Sequence, residues 1–249
     1  MSHEPTIILV HGAFADASSW SGVVERLLRG GHHVVAPANP LRGLAVDSAY
    51  IASYISQVDG PTILVGHSYG GAVISNAAST VKNVLALVFV AAFAPETGET
   101  LGGAEASSKD SVLNPALVQR LYPTGQDGET APEFIVDPAH FHDVFASDVP
   151  EKQSAVMAAT QRPIGTSAFS EASGAPALKT LPSWAVVAVG DKAAGTDVIR
   201  SMAKRANART VEIKGSHVIM VSQPQAVTDV ILDALQAVAK PVAGVGARK

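Results

Sequence analysis

A chain of 249 residues with 47% apolar and 16% charged side chains is long enough to bury a sizeable core in one domain, with room for an insertion. The net charge of −4 is modest and the lysines and arginines are scattered, which argues against a nucleic-acid footprint or a basic membrane-binding patch. No cysteine is present, so disulfides, thiolate catalysis and cysteine-ligated metals are excluded.

The N-terminal Met1-Ser2-His3-Glu4-Pro5 runs straight into an apolar strand pattern without a basic region and an apolar leader, so no signal peptide is expected. The longest apolar run, Val84 to Ala94, is about eleven residues, well short of the roughly 20 that cross a bilayer. The expectation is a soluble, cytoplasmic protein.

In chain order, Ile7-Val10 is a continuous apolar run, followed by the loop His11-Gly12-Ala13-Phe14 and by capping residues from Asp16 to Ser19. Trp20, Val23, Val24, Leu27 and Leu28 then recur at helical spacing. A strand at Val34-Ala36, a helix through Ile51, Ile55 and Val58, and strands at Thr62-Val65 and Leu85-Ala91 follow. After an interruption come strands at Trp184-Val189 and Thr210-Ile213, and a helix through Val227, Val230, Ile231, Ala234 and Leu235. Continuous rather than alternating apolar runs mark strands buried on both faces, hence a mostly parallel six-stranded sheet covered by helices. Val238 to Gly244 reads as a loose tail.

The interruption has a different texture, opening on the turn-rich Pro95-Glu96-Thr97-Gly98-Glu99 and containing Gly102-Gly103 and Gly125-Gln126-Asp127-Gly128. Helices are expected at Ser111 to Leu121, near Phe141-Phe145, and from Pro150 to Gln161. Such an insertion between two strands reads as a helical cap over the carboxyl ends of the sheet. The chain therefore divides into a discontinuous core, 1-94 and 182-249, and a cap, 95-181. Phe134, Phe141, Phe145, Met157 and Leu121 are candidates for an apolar lining, or for the cap's own core.

The chemistry concentrates at Gly66-His67-Ser68-Tyr69-Gly70, between the Thr62-Val65 strand and the small-residue helix pattern Gly71-Ala72-Val73-Ile74. A strand that reverses into a helix holds the serine in a strained conformation and exposes its hydroxyl, while flanking glycines prevent backbone collision. Ser68 is the expected nucleophile. The N–H of Tyr69, paired with that of Ala13 or Phe14, is the expected oxyanion hole. Of eight histidines, His217 in Gly215-Ser216-His217 lies in a loop late enough to act as general base, in the order serine, acid, histidine. His11 and His67 are expected to support their loops, and His32 and His33 to be exposed. A metal site from His140, His142 and Asp143 or Asp137 lacks a third ligand at matching spacing and is disfavoured. No cofactor is expected.

Together, Leu9-Val10-His11-Gly12-Ala13, Trp20, Gly66-His67-Ser68-Tyr69-Gly70-Gly71, Val88 to Pro95 and Gly215-Ser216-His217 resemble the α/β-hydrolase superfamily. Within it the chain is most similar to small esterases related to plant methylesterases and hydroxynitrile lyases, over nearly everything outside the cap. The resemblance implies a carboxylate three residues after the glycine that ends the Val186-Val189 strand, and that position holds Ala193. Asp191 is the first choice for the acid, with Asp197, Glu96 or a bare Ser-His pair as alternatives. The lyases of this group carry a lysine directly after the histidine and a threonine in the first loop. Val218 and Gly12 stand there instead.

The function expected is hydrolysis of a small, largely apolar carboxylic ester or lactone through an acyl-enzyme on Ser68. The alternatives are a non-catalytic ligand-binding homologue and cofactor-free lyase or perhydrolase chemistry. The partner expected is a small-molecule ester, with no nucleic acid or membrane; a homodimer is left open.

Overall fold

The structure, a computed structural model, describes residues 4–239. The chain runs β1 (Thr6–Val10), α1 (Ser21–Arg29), a two-residue β2 (Val34–Val35), α2 (Leu44–Ser56), β3 (Thr62–His67), α3 (Tyr69–Ala78) and β4 (Val84–Val90). An insertion follows, with α4 (Leu101–Ala106), β5 (Leu117–Pro123), β6 (Thr130–Val136), α5 (Pro138–Phe145), α6 (Glu151–Thr160), β7 (Ile164–Gly165) and α7 (Ser167–Ser170). The chain then resumes with β8 (Ser183–Val189), α8 (Thr196–Arg205), β9 (Arg209–Lys214), α9 (Ile219–Ser222) and α10 (Pro224–Ala239).

Six strands form one sheet in the order β2-β1-β3-β4-β8-β9, and every pairing in it is parallel. All six residues of β3 are buried, as are Ile7 to Val10 of β1, which is why these strands read as unbroken apolar runs. Helical faces carrying Trp20, Leu27, Ile51, Ile55, Val227 and Ile231 close over the sheet. Each such aliphatic side chain removed from water contributes roughly 1.5–3 kcal/mol. Parallel strands joined by crossovers deliver all their carboxyl ends to one edge. The loops after β1, β3, β8 and β9, which carry Phe14, Ser68, Asp191 and His217, therefore converge there.

The insertion departs from the expected all-helical pattern. Its β5, β6 and β7 form an antiparallel sheet, with Leu117 opposite Val136 and Pro123 opposite Thr130. Where a helix was expected over Ser111 to Leu121, a single 3-10 turn at Asn114–Ala116 leads directly into β5. Pro115 cannot donate the bond a helix interior needs, and Gly125 and Gly128, both at positive φ, supply the turn that folds β6 back on β5. Phe134-Ile135-Val136 then favours strand. The other two expected helices are present as α5 and α6. At the C-terminus α10 continues through Ala239, so Val238 and Ala239 are helical rather than loose, and 240–244 lie outside the described residues.

Candidate active site

Ser68 sits between β3 and α3 at φ 52° and ψ −123°, a region that non-glycine residues occupy only when their surroundings force them to. Its own N–H donates to Val90 O at 3.2 Å, and its carbonyl accepts from Gly71 N at 3.0 Å and Phe93 N at 3.1 Å. The turn is too tight for side chains on its flanks. A Cβ on Gly66 would lie 2.6 Å from Gly70 O, and one on Gly12 would lie 2.6 Å from Ser68 Cβ. The second clash explains why the first loop has no place for a threonine at position 12.

His217, in the loop between β9 and α9, is buried and its Nδ1 stands 2.7 Å from Asp191 Oδ2. The other oxygen of that carboxylate accepts from Ala193 N at 2.9 Å and Ala194 N at 3.0 Å. Thr196 pins the loop: its hydroxyl donates to Ala188 O and accepts from the N–H groups of Gly190 and Asp191. Asp191 therefore meets His217 from two residues before the position the resemblance implies, and Ala193 contributes a backbone donor to it.

The alternative acids lie elsewhere. Asp197 accepts from Ser108 Oγ at 2.5 Å and Lys109 N at 2.8 Å, fastening the insertion to the start of α8. These bonds hold its carboxyl below the usual aspartate value, against a desolvation effect of opposite sign. Glu96 pairs with Lys179 at 3.2 Å.

Two further histidines back the site in the neutral form. Burial pushes His11 down to about 4; its Nε2 accepts from Asn39 N at 2.9 Å and its Nδ1 donates to Gly12 O at 2.9 Å. Burial, followed by the neighbouring His217 ring, holds His67 well below the ordinary histidine value. Its Nε2 donates to His217 O at 2.9 Å, which leaves Nδ1 as the unprotonated nitrogen of the neutral ring, buried and without a partner. Both support their loops, as expected. His217 is the histidine paired with a buried carboxylate.

Ser68 and His217 line one narrow, mostly apolar pocket together with Ala13, Phe14, Tyr69 and Ala193. The insertion adds Leu101, Glu105, Leu113, Phe145 and Phe169 to its lining. The amides of Ala13 and Tyr69 make no backbone hydrogen bond among the described residues; Tyr69 is the first residue of α3, where N–H groups lack an intrahelical acceptor. Of the five lining candidates only Phe145 reaches this cavity, 4.9 Å from the His217 ring and edge-on to Phe14 at 6.0 Å. Phe141 stacks behind it, Phe134 packs on Phe169, and Leu121 is 65% exposed. Met157 lines a separate groove on the insertion side, where Phe14 again forms part of the wall.

Sequence reasoning missed the carboxylates Glu105 and Asp148, among others. Glu105, buried, accepts from Ser111 Oγ and Asn114 Nδ2 at the edge of the cavity. Asp148 accepts from Ser216 Oγ and, at 2.6 Å, Ser222 Oγ, holding both ends of the His217 loop. Their partners are far away in the chain or in the mis-read part of the insertion, so no local pattern announces them. The disfavoured metal site does not assemble: His142 Nδ1 faces Ser154 Oγ at 2.9 Å and His140 faces Asp137 at 3.4 Å. Among the described residues no group of three or more histidine or carboxylate side chains could hold a metal, and no helix is long and apolar enough to cross a membrane.

The sequence profile of the alpha/beta hydrolase family matches residues 7–230. The chain belongs to that family. Solved structures of the same fold include a pyrethroid hydrolase from Sphingobium faniae JZ-2, 22% identical with a TM-score of 0.75 over 94% of this chain and 98% of that one. Polyneuridine aldehyde esterase superposes with a TM-score of 0.76 at 19% identity, over 93% of this chain and 99% of the other. In sequence, this alpha/beta hydrolase is similar to a carbendazim-hydrolyzing esterase of Nocardioides sp. (strain SG-4G), 33% identical over 107 residues. That match spans 38% of this chain and 44% of the esterase, so it covers less than half of the relative's length.

Proposed function

We propose that this alpha/beta hydrolase is a serine esterase acting on small, largely apolar carboxylic esters or lactones, with Ser68, His217 and Asp191 as its triad. The observation that carries the reading is the 2.7 Å contact between Asp191 Oδ2 and His217 Nδ1, in a loop whose histidine shares an apolar pocket with Ser68. Ser68 Oγ attacks the ester carbonyl carbon as His217 Nε2 takes the hydroxyl proton. The carbonyl oxygen gains the charge and is held by the N–H groups of Ala13 and Tyr69. Collapse of the tetrahedral intermediate breaks the bond to the alcohol, which leaves with the proton from His217. A water molecule then gives its proton to His217 and attacks the acyl group; the acid departs and the proton returns to Ser68.

The insertion acts as a cap in this reading, excluding bulk water and presenting Leu101, Leu113, Phe145 and Phe169 to the substrate. Relatives named for hydrolysing carbendazim and pyrethroids accord with an apolar substrate carrying a carbonyl centre. A purely ligand-binding role gives no reason for a serine held at φ 52° beside a carboxylate-backed histidine. Cyanohydrin cleavage is disfavoured by Val218 and by the lack of space at Gly12.

The test is turnover of a panel of short-chain p-nitrophenyl esters together with mass spectrometry after fluorophosphonate treatment. One adduct on Ser68, absent from Ser68→Ala, supports the reading; an unlabelled and inactive wild type removes it.

A further inference from the structure

Tyr69 offers two donors. Its backbone N–H belongs to the proposed oxyanion hole, and its buried phenol O–H donates to Asp47 Oδ2 at 2.6 Å. Asp47 is fully buried on α2. The same carboxylate accepts from Arg42 N at 3.1 Å on each oxygen and, more loosely, from Gly43 N at 3.5 Å. Burial pushes the Tyr69 phenol upward, so it keeps its proton and donates; burial also pushes the Asp47 carboxyl upward, and the bonds it accepts from Tyr69, Arg42 and Gly43 oppose that shift.

Filling this space with a carboxylate is an expensive way to pack two helices, because a buried charge carries a desolvation penalty that apolar side chains of the same size avoid. No step of ester hydrolysis as written above uses Asp47. Its position relative to Ser68 gives it a different consequence. The Ser68–Tyr69 peptide follows a residue in a sparsely populated conformation, and such a conformation persists only where neighbouring structure over-determines it. Rotation of that peptide would turn the Tyr69 N–H away from the oxyanion. The far end of the Tyr69 side chain is fixed by Asp47, and Asp47 is fixed in turn by the 41–43 segment.

That segment is gripped by the insertion. Gly165 N donates to Leu41 O at 2.9 Å, Ser167 Oγ donates to Arg42 O at 2.7 Å, and the Arg42 guanidinium pairs with Glu133 of β6 at 2.7 Å. A continuous set of hydrogen bonds thus runs from the β6–β7 ribbon through Arg42 and Asp47 to the ring of Tyr69.

We propose that Asp47 is a positioning residue for this site, fixing the Tyr69 side chain through its hydroxyl and thereby aiming the Tyr69 N–H at the oxyanion. The proposal rests on the esterase reading and goes further, because it assigns a role to a carboxylate that touches neither substrate nor the reacting atoms.

The test is a double-mutant cycle of Tyr69→Phe and Asp47→Asn, read as kcat and KM on p-nitrophenyl butyrate and normalised to sites titrated by fluorophosphonate. Tyr69→Phe keeps the ring and the backbone N–H and removes only the hydroxyl. Removing an oxyanion donor outright costs about 10²–10³ in kcat, so mis-aiming one is expected to cost about 10-fold, with KM changed by less than about 2-fold. The double variant should lose little beyond the worse single variant, since both changes cut the same link. If Asp47→Asn does not fold, Tyr69→Phe carries the test alone by its split between kcat and KM. A merely structural pair would lower the melting temperature while leaving kcat per titrated site unchanged, and that result overturns the proposal. So do losses that multiply in the double variant, or a change confined to KM. A wild type that turns over no ester defeats the esterase reading and this proposal with it, whereas an active wild type with equally active variants defeats the positioning role alone.

Discussion

Asp191 reaches the His217 ring at 2.7 Å from a position two residues ahead of Ala193, where the resemblance to small esterases places the acid. The loop achieves this because Gly190, at φ 124°, turns the chain, and Thr196 gathers the N–H groups of Gly190 and Asp191 on its hydroxyl. With one oxygen on two backbone donors and the other on the imidazole, the carboxylate has a single orientation.

Gly12 tests the packing around Ser68 directly. A methyl at this position would meet Ser68 Cβ at 2.6 Å and His67 O at 2.8 Å, both parts of the rigid elbow. Gly12→Ala should lower kcat/KM on short p-nitrophenyl esters by at least about 10-fold, through displacement of a reacting atom by a fraction of an ångström. It should also lower the melting temperature by several degrees, as overpacking costs about 1–3 kcal/mol. Wild-type values for both would show that the first loop has room to move.

Phe14 stands between two spaces, the pocket shared by Ser68 and His217 and the groove lined by Val156 and Met157. Phe14→Ala should join them and shift preference toward esters with a bulkier arm, raising the ratio of kcat/KM for octanoate over butyrate by about 10-fold, within the 1–3 kcal/mol typical of altered apolar pockets. An unchanged ratio would mean that the groove plays no part in substrate selection.

The buried neutral histidines make stability depend on acid. His11, at about 4, and His67, lower than its ordinary value, both bind protons less readily folded than unfolded. Their contribution is complete above the unfolded value near 6.5 and is lost as pH falls toward the folded values, at up to about 1.4 kcal/mol per pH unit for each ring. Asp47, whose carboxyl is raised, acts with the opposite sign and softens the fall at the acid end. Urea midpoints should therefore be flat from about pH 8 to 7 and drop between about pH 6.5 and 5, with a shallower drop in His11→Gln. Equal slopes in the two proteins would contradict the assignment of His11 as a ring held neutral by burial.

The six parallel strands, the elbow at Ser68 and the late histidine were legible because each is a local pattern: a buried run, a strand-to-helix reversal, a loop after the last strand. The β5–β6 ribbon was not, since Leu117 to Tyr122 has enough apolar residues to imitate a helix and only Pro115 and the Gly125–Gly128 turn betray it. Choosing Asp191 over Asp197 from sequence rested on region alone. The two are separated by contacts with Thr196 on one side and with Ser108 and Lys109 of the insertion on the other. Asp47, Glu105 and Asp148 stayed hidden for the same reason, because the groups that give them meaning come from other elements.

The central claim is that Asp191 backs His217 in a working serine triad, and the most direct test is kcat for Asp191→Asn and Asp197→Asn beside wild type on p-nitrophenyl butyrate. Asp191→Asn should lose about 10²–10⁴ in kcat with a native melting profile, and Asp197→Asn should stay within about 3-fold of wild type. Full activity in Asp191→Asn, or a collapse confined to Asp197→Asn, would contradict it.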